Sequence, residues 1–277
     1  MNSPGKSGIN DFPVKHPLRP YLIFSAILGV LVIAASFSGV FFSKTVFPDE
    51  ELLQDYMSTD FINLFLIVPL LALCMILAVK KNLIGLLFWP GTVMMLTYHY
   101  TAYVFGTPIS WFTLLYFTIL AISVFLIIAL FLNIDSKMVK TGLSGLVYEK
   151  LSGWVLLVFG VFIFARFYYV ITEPLLRNET LAPAEISAAI ADFLLCPAWI
   201  ICGIFLIRKK AAGYTGAAAL MFKISMLFIG LLVYFLVNPV LTGAPFSAAD
   251  FITVSIMTVI FNIPFILFTR GIFKSRK

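Results

Sequence analysis

Apolar residues run almost unbroken through eight stretches of this chain, and polar residues gather in the short gaps between them. The stretches are Tyr21–Ser43, Phe61–Val79, Leu83–Val104, Ile109–Asn133, Leu151–Ile171, Ala189–Ile207, Tyr214–Val237 and Phe251–Thr269. A soluble helix would confine its apolar residues to one face, and these stretches do not. Each can span a hydrocarbon core of roughly 30 Å, which takes about 20 residues of helix. A membrane barrel would show alternating segments of about ten residues. The pattern therefore predicts an all-α fold, a polytopic transmembrane helical bundle of eight spans. The first stretch is too long for the 7–15-residue apolar region typical of a cleaved leader, so it reads as a retained helix.

The whole chain reads as a single integral membrane domain, 1–277. A tail (1–20) precedes a first four-helix half (21–133), a linker (134–150) and a second four-helix half (151–277). The division into halves rests on an internal match. Shifted by 128 residues, Phe61–Gly91 falls on Ala189–Ala219, pairing Pro69 with Pro197, Cys74 with Cys202, Lys81 with Lys209 and Gly85 with Gly213. Four helices per half keep the two halves in one orientation, so any pseudo-twofold axis would run along the membrane normal. Pro48 with Asp49–Glu51, and Pro183 with Glu185, are helix-start signals that place a short helical turn ahead of spans two and six.

Composition agrees: 61% of residues are hydrophobic and 12% charged, about half the charged share of an ordinary soluble domain. The net charge of +6 matters less than where the cations lie. With the N-terminus inside, all but four of the 19 Lys and Arg fall in inner segments. The exceptions are Lys44 and Arg177 outside and Arg166 and Lys223 within spans. By the positive-inside rule both termini are cytoplasmic, in a multi-pass protein of the plasma (cell) membrane of prokaryotic type. The acids Asp49, Glu50, Glu51, Asp55, Asp60, Glu173, Glu179, Glu185, Asp192 and Asp250 collect on or near the outer face. Cations scattered over five inner segments make no nucleic-acid footprint. The lipid bilayer is the partner they fit.

Ionisable groups at membrane depth are costly, so they are the first candidates for function. Lys223 is the deepest, Arg166 lies about two turns below the outer surface, and Asp192 and Asp60 enter their spans at shallow depth. Asn63, His99 and Tyr100 add polar groups nearby. Asp60, Asn63, His99, Tyr100, Arg166, Asp192 and Lys223 form the candidate ligand-binding set, around a polar site opening outward between spans two, three, five, six and seven. Within it, Asp192 and Lys223 are expected to pair, with Arg166 competing. The same charges could equally staple helices together.

The rest of the chemistry is thin. His16 and His99 lie on opposite sides of the membrane, which excludes a bis-histidine site. Cys74, Cys196 and Cys202 are all in spans, with no CxxC pair. No hydrolase, zinc, nucleotide or paired-acid metal motif occurs, so no catalytic residue, metal or cofactor is assigned. Three classes stay open. Binding or transport of a small molecule or ion fits the duplicated halves and in-span prolines. A structural or assembly subunit, with a membrane partner subunit or as a homo-oligomer, would use the same polar groups as interhelical contacts, with small residues such as Gly203, Gly216 and Ala217–Ala219 for close packing. An intramembrane enzyme would have only His99, Asp192 and Lys223 to work with.

The segments DFINLFLIVPLL, KKNLIGLLFWPG and TYHYTAYVFGTPISWFTLLY within Asp60–Tyr116, with IADFLLCPAWIICGIFLIRKKAAGYTGAAALMFK at Ile190–Lys223, carry a further pattern. An Asp-to-Pro approach occurs in two spans, a basic turn precedes a Gly, and a Tyr-x-Tyr precedes an aromatic-Gly. This resembles a group of uncharacterised prokaryotic multi-span membrane proteins of unknown function. The resemblance implies positions Asp60, Pro69, Gly85, Tyr98, Tyr100, Gly106, Asp192, Pro197, Gly213, Tyr214 and Lys223, and an architecture rather than an activity. It also implies an amide at the centre of the Tyr-x-Tyr, where this chain has His99.

Overall fold

The computed structural model describes residues 12–275; of the basic residues discussed above, Lys6, Arg276 and Lys277 lie outside them. Helix α1 is Arg19–Phe41, followed by the single turn α2, Ser43–Val46. Then α3, Glu50–Ile62, passes through a π-helical turn, Asn63–Ile67, into α4, Val68–Val79, as one continuous rod. The remaining helices are α5 (Leu83–Gly106), α6 (Trp111–Asn133), α7 (Ser136–Leu143), α8 (Glu149–Arg177), α9 (Pro183–Ile207), α10 (Ala211–Thr242) and α11 (Ala248–Lys274).

Seven helices among the described residues are long and apolar enough to cross a membrane. Of the eight expected spans, Leu83–Val104 is the one that falls short. Its helix, α5, is buried along nearly its whole length by α4, α6, α9 and α10. A helix shielded by protein need not be apolar for lipid, and α5 accordingly carries Thr92, Thr97, Tyr98, His99 and Tyr100. The lipid-exposed signature lies on the outer helices. Val158, Val161 and Phe162 of α8 and Ile256, Val259 and Ile263 of α11 are each more than half exposed. Without a hydrocarbon solvent, that much bare apolar surface would aggregate.

The acid-rich starts differ from expectation in one respect. Glu50 and Pro183 do not begin separate turns ahead of spans two and six; they begin the long helices themselves. Asp60 therefore does not cap its span at shallow depth. It lies ten residues into the helix and is 1% exposed. The π turn just after it has a chemical cause: Pro69 has no N–H for the Phe65 carbonyl, and its ring crowds that carbonyl, so the helix widens one turn earlier.

Helix directions sort the molecule into a basic end and an acidic end. The basic end holds the α4–α5 and α9–α10 turns, the α6–α8 connection and the last turn of α11, where Gly271 packs on Leu146 and Val147. Here α7 docks on α10, and residues 13–16 lie along the end of α6. Lys15 N donates to Asn133 O at 2.9 Å, and Asp135 N to Pro13 O at 3.0 Å. The acidic end holds the start of α3, the α5–α6 loop and the start of α9, which share one cleft through Glu51, Gly106 and Pro183.

The α4–α5 and α9–α10 turns are the same structure. Lys81 and Lys209 both adopt left-handed backbone, at φ 54° and 51°. Asn82 N bonds Leu77 O at 2.8 Å, and Lys210 N bonds Phe205 O at 2.8 Å. A Cβ on Gly85 would overlap the backbone N of Ala78, and one on Gly213 the backbone N of Leu206. Helix neighbours match too. α1 packs on α3–α4 and α6, while α8 packs on α9 and α11. α5 and α10 pack on each other, and α5 also packs on α9 and α10 on α3.

Candidate functional site

Between α3, α5, α9 and α10, toward the acidic end, lies a cavity of about 200 Å³. Its wall combines Asp55, Tyr56, Thr59, Ser187 and Tyr234 with the apolar Ile62, Met95, Leu227 and Leu231. Tyr98, His99 and Tyr103 enter from α5. The cavity is held in shape by bonds across its rim. Ser58 Oγ donates to Asn238 Oδ1 at 2.7 Å, Tyr234 OH to Gln54 O at 3.1 Å, and the Tyr56 and Ser187 hydroxyls lie 3.3 Å apart.

His99 is placed by Asn63, the first residue of the π turn, whose Oδ1 lies 2.7 Å from His99 Nδ1. With Nδ1 committed, Nε2 is the ring atom left for another partner. Asn63 Nδ2 is buried with no hydrogen-bond partner.

A second group lies beside the cavity, between α5, α8, α9 and α10. Arg166 Nη1 donates to Asp192 Oδ2 at 2.8 Å. Arg166 is thus the hydrogen-bonded partner of Asp192, while Lys223, the partner expected from sequence, acts on the carboxylate through its charge without a direct bond. The Lys223 ammonium sits instead 4.1 Å from the centre of the Tyr98 ring and 5.6 Å from that of Trp199. Its side chain is fully enclosed at 2% exposure. Two aromatic faces offset part of its lost hydration, by about 2 kcal/mol or more for a desolvated cation. Tyr98 is the hinge of this group: its ring carries Lys223 and its hydroxyl lies against Asp192.

A third group lies between α1, α3, α5 and α6. Asp60 faces Ser36 and Gly39 of α1, and a Cβ at position 39 would overlap its Oδ2. The Ser36 and Tyr103 side chains approach the carboxyl group, and the Tyr100, Tyr103 and Tyr116 rings pack around one another with centres 5.0–5.8 Å apart.

The seven sequence candidates therefore do not form one cluster. His99 lines the cavity and Asn63 holds it. Arg166, Asp192 and Lys223 form a charged group behind Tyr98, while Asp60 and Tyr100 face α1 and α6. The cavity itself involves spans two, three, six and seven, without span five. Missed by sequence reasoning were Tyr56, Tyr103, Tyr116, Trp199 and Ser36. The signal for one of these was present: Tyr103 lies three residues after the candidate Tyr100 on one helix, so the two share a face.

Comparison with protein-family models, with curated proteins and with solved structures finds no match to this chain. The roles of these residues accordingly stand on their geometry.

Proposed function

We propose that this is an eight-crossing protein of the plasma membrane, with both termini cytoplasmic, that binds a small molecule or ion from the outside. The carrying observation is the cavity, which has a positioned histidine and a polar rim. Polar groups facing a wetted cavity cost little, whereas facing lipid they would be expelled. At about 200 Å³ the space suits a ligand smaller than a typical drug.

Supporting the eighth crossing, α5 has 24 residues, about 36 Å at 1.5 Å per residue, and joins its antiparallel neighbours by short turns. Supporting the orientation, the basic end carries Arg19, Lys80, Lys81, Arg208, Lys209, Lys210 and Arg270, as a cytoplasmic face should. Supporting two duplicated halves, the Lys81 and Lys209 turns match bond for bond at the 128-residue shift. The cavity would then lie where the halves meet, the usual place for a transporter's site.

The assembly-subunit reading would use small residues for close packing between helices, and they do pack within the chain. Gly203 already packs on Gly153 and Leu157, Gly216 on Cys202, and Ala217–Ala219 are fully buried within the chain.

Two measurements test the proposal. Cysteines placed at Thr180 and Ala248 should react with an impermeant reagent on intact cells, and those at Thr141 and Ser275 should not; the reverse pattern overturns the orientation. In detergent, a panel of small amines, amino acids, carboxylates and salts should contain a compound that raises the Tm of the wild type but not of His99→Ala. A panel without such a compound removes the binding reading.

A further inference from the structure

Asp60 presents a problem that the cavity does not solve. Its side chain is 1% exposed, its Oδ2 has no hydrogen-bond partner, and it makes no ion pair among the described residues. The Ser36 and Tyr103 hydroxyls offset only part of the desolvation cost of an ionised carboxylate there, and buried carboxylates are found either paired or neutralised. The protein supplies no cation. What it supplies is oxygen. Tyr116 is 2% exposed, and its hydroxyl also has no partner. Ser36 Oγ and Tyr100 OH lie 3.4 Å apart on the same side, and Tyr103 OH donates to Tyr56 O at 3.1 Å. Gly39 keeps α1 clear of the carboxyl oxygen.

We propose that Asp60 and the hydroxyls around it bind one monovalent cation, a proton or an alkali ion, at a site separate from the cavity. The shared chemistry is one positive charge delivered to a buried carboxylate. A single carboxylate with hydroxyl oxygens suits a hard, singly charged ion, and no group of three acidic, histidine or cysteine ligands for a multivalent metal exists among the described residues. The groups facing Asp60 from the packed helices are Ser36 and Gly39 of α1, Tyr56 of α3, Tyr100 and Tyr103 of α5 and Tyr116 of α6. Tyrosines are the other titratable groups among them. Tyr56 and Tyr103 also line the cavity, so the two sites share a wall. That wall gives cation binding a route to the ligand site.

The test uses the full chain in detergent, comparing wild type with Asp60→Asn. Thermal unfolding is followed in sodium, potassium and choline chloride at acid and alkaline pH. The infrared band of a protonated carboxylic acid is followed over the same pH range. If the ion is an alkali cation, one of the two salts raises the wild-type Tm over choline by about 2 °C or more, and Asp60→Asn loses that rise. If it is a proton, salts are equivalent, and an Asp60-dependent acid band present at low pH disappears at high pH. Tyr116→Phe removes only an unpartnered hydroxyl and serves if Asp60→Asn does not fold. It should raise the half-effective salt concentration several-fold, or move the pH at which the band disappears. The proposal is overturned by an Asp60 band that persists unchanged to alkaline pH, or by variants that answer salt and pH as the wild type does. A silent ligand panel leaves this site standing, so its failure and that of the cavity are separable.

Discussion

The two ends of the bundle treat their buried polar groups differently. At the basic end, Glu149 is 9% exposed and accepts from Gly145 N at 2.7 Å and from Tyr214 OH at 3.2 Å. Asn133 is 1% exposed; its Oδ1 accepts from His16 N and its Nδ2 donates to His16 O. At the acidic end, Asp60 and Asn63 are buried as deeply and each leaves an atom unpartnered. Hydroxyls without partners occur toward both ends, at Ser152, Thr269 and Tyr116, but a carboxylate or amide left bare costs more. Where the buried acid and amide are hydrogen-bonded in this way, the polar groups hold the linker and the segment before α1 onto the bundle. Where they are not, the structure keeps capacity for something else. In that contrast the basic end uses its buried polar groups architecturally, and the acidic end leaves two of them short of a partner.

The contrast is broken most forcefully at Glu149. Glu149→Ala strands the Gly145 N–H and removes a partner of Tyr214, so we expect a loss of about 2–3 kcal/mol and a Tm lower by several degrees. Glu149→Gln keeps an acceptor oxygen and should lose much less. Ligand response at the far end should survive both changes. If Glu149→Ala is silent in thermal unfolding, the basic end is not held as described.

At the acidic end the comparable measurement is a double-mutant cycle on Asn63 and His99. Their 2.7 Å contact is buried, so a coupling of about 1–2 kcal/mol is expected. Asn63→Ala should also weaken ligand binding by loosening His99, without touching the ligand itself. Additive losses would mean that the π turn does not position the histidine.

How much of this was legible beforehand depends on what lipid demands. Seven helices coincide with the apolar stretches, because contact with hydrocarbon forces unbroken apolar sequence. Ends were less visible: α3 begins at Glu50 and α9 at Pro183, since a helix can run past the apolar core into polar sequence. α5 was read as an ordinary span, yet its hydropathy is relaxed by burial within protein. The polar site was legible as a list and not as an arrangement. Lys223 had been assigned to Asp192 by depth and adjacency, but depth says nothing of rotation about the helix axis. That rotation turns Lys223 onto Tyr98 and Trp199. The tyrosines of α5 were visible as a Tyr-x-Tyr pattern, and only the packing of α1 and α6 shows Tyr100 and Tyr103 enclosing Asp60.

The charged group offers a smaller effect that sharpens the same contrast. Arg166 is 45% exposed and Asp192 14%, so their pair is partly wetted, and a cycle of Arg166→Gln with Asp192→Asn should couple by about 0.5–1 kcal/mol. The cycle of Asp192 with Lys223→Met should couple less, because the ammonium rests on rings rather than on the carboxylate. A larger coupling to Lys223 would restore the pairing first expected and pull the ammonium away from Tyr98.

The smallest expected effect tests whether the basic end is built from two copies of one turn. Lys81 and Lys209 hold left-handed backbone, a conformation that costs an L-residue roughly 1–2 kcal/mol and glycine almost nothing. Lys209→Gly should therefore stabilise, by about 0.5–1 kcal/mol once glycine's greater freedom in the unfolded chain is subtracted. Lys81→Gly should gain by a similar amount, because its backbone is held in the same conformation. Neither change should alter ligand response, since both turns lie at the end away from the cavity. Thermal unfolding of the two variants and of the double variant measures this directly. Equal signs with additive gains support equivalent turns; a loss at Lys209 would show that its backbone relaxes in the membrane and that the match to Lys81 does not hold.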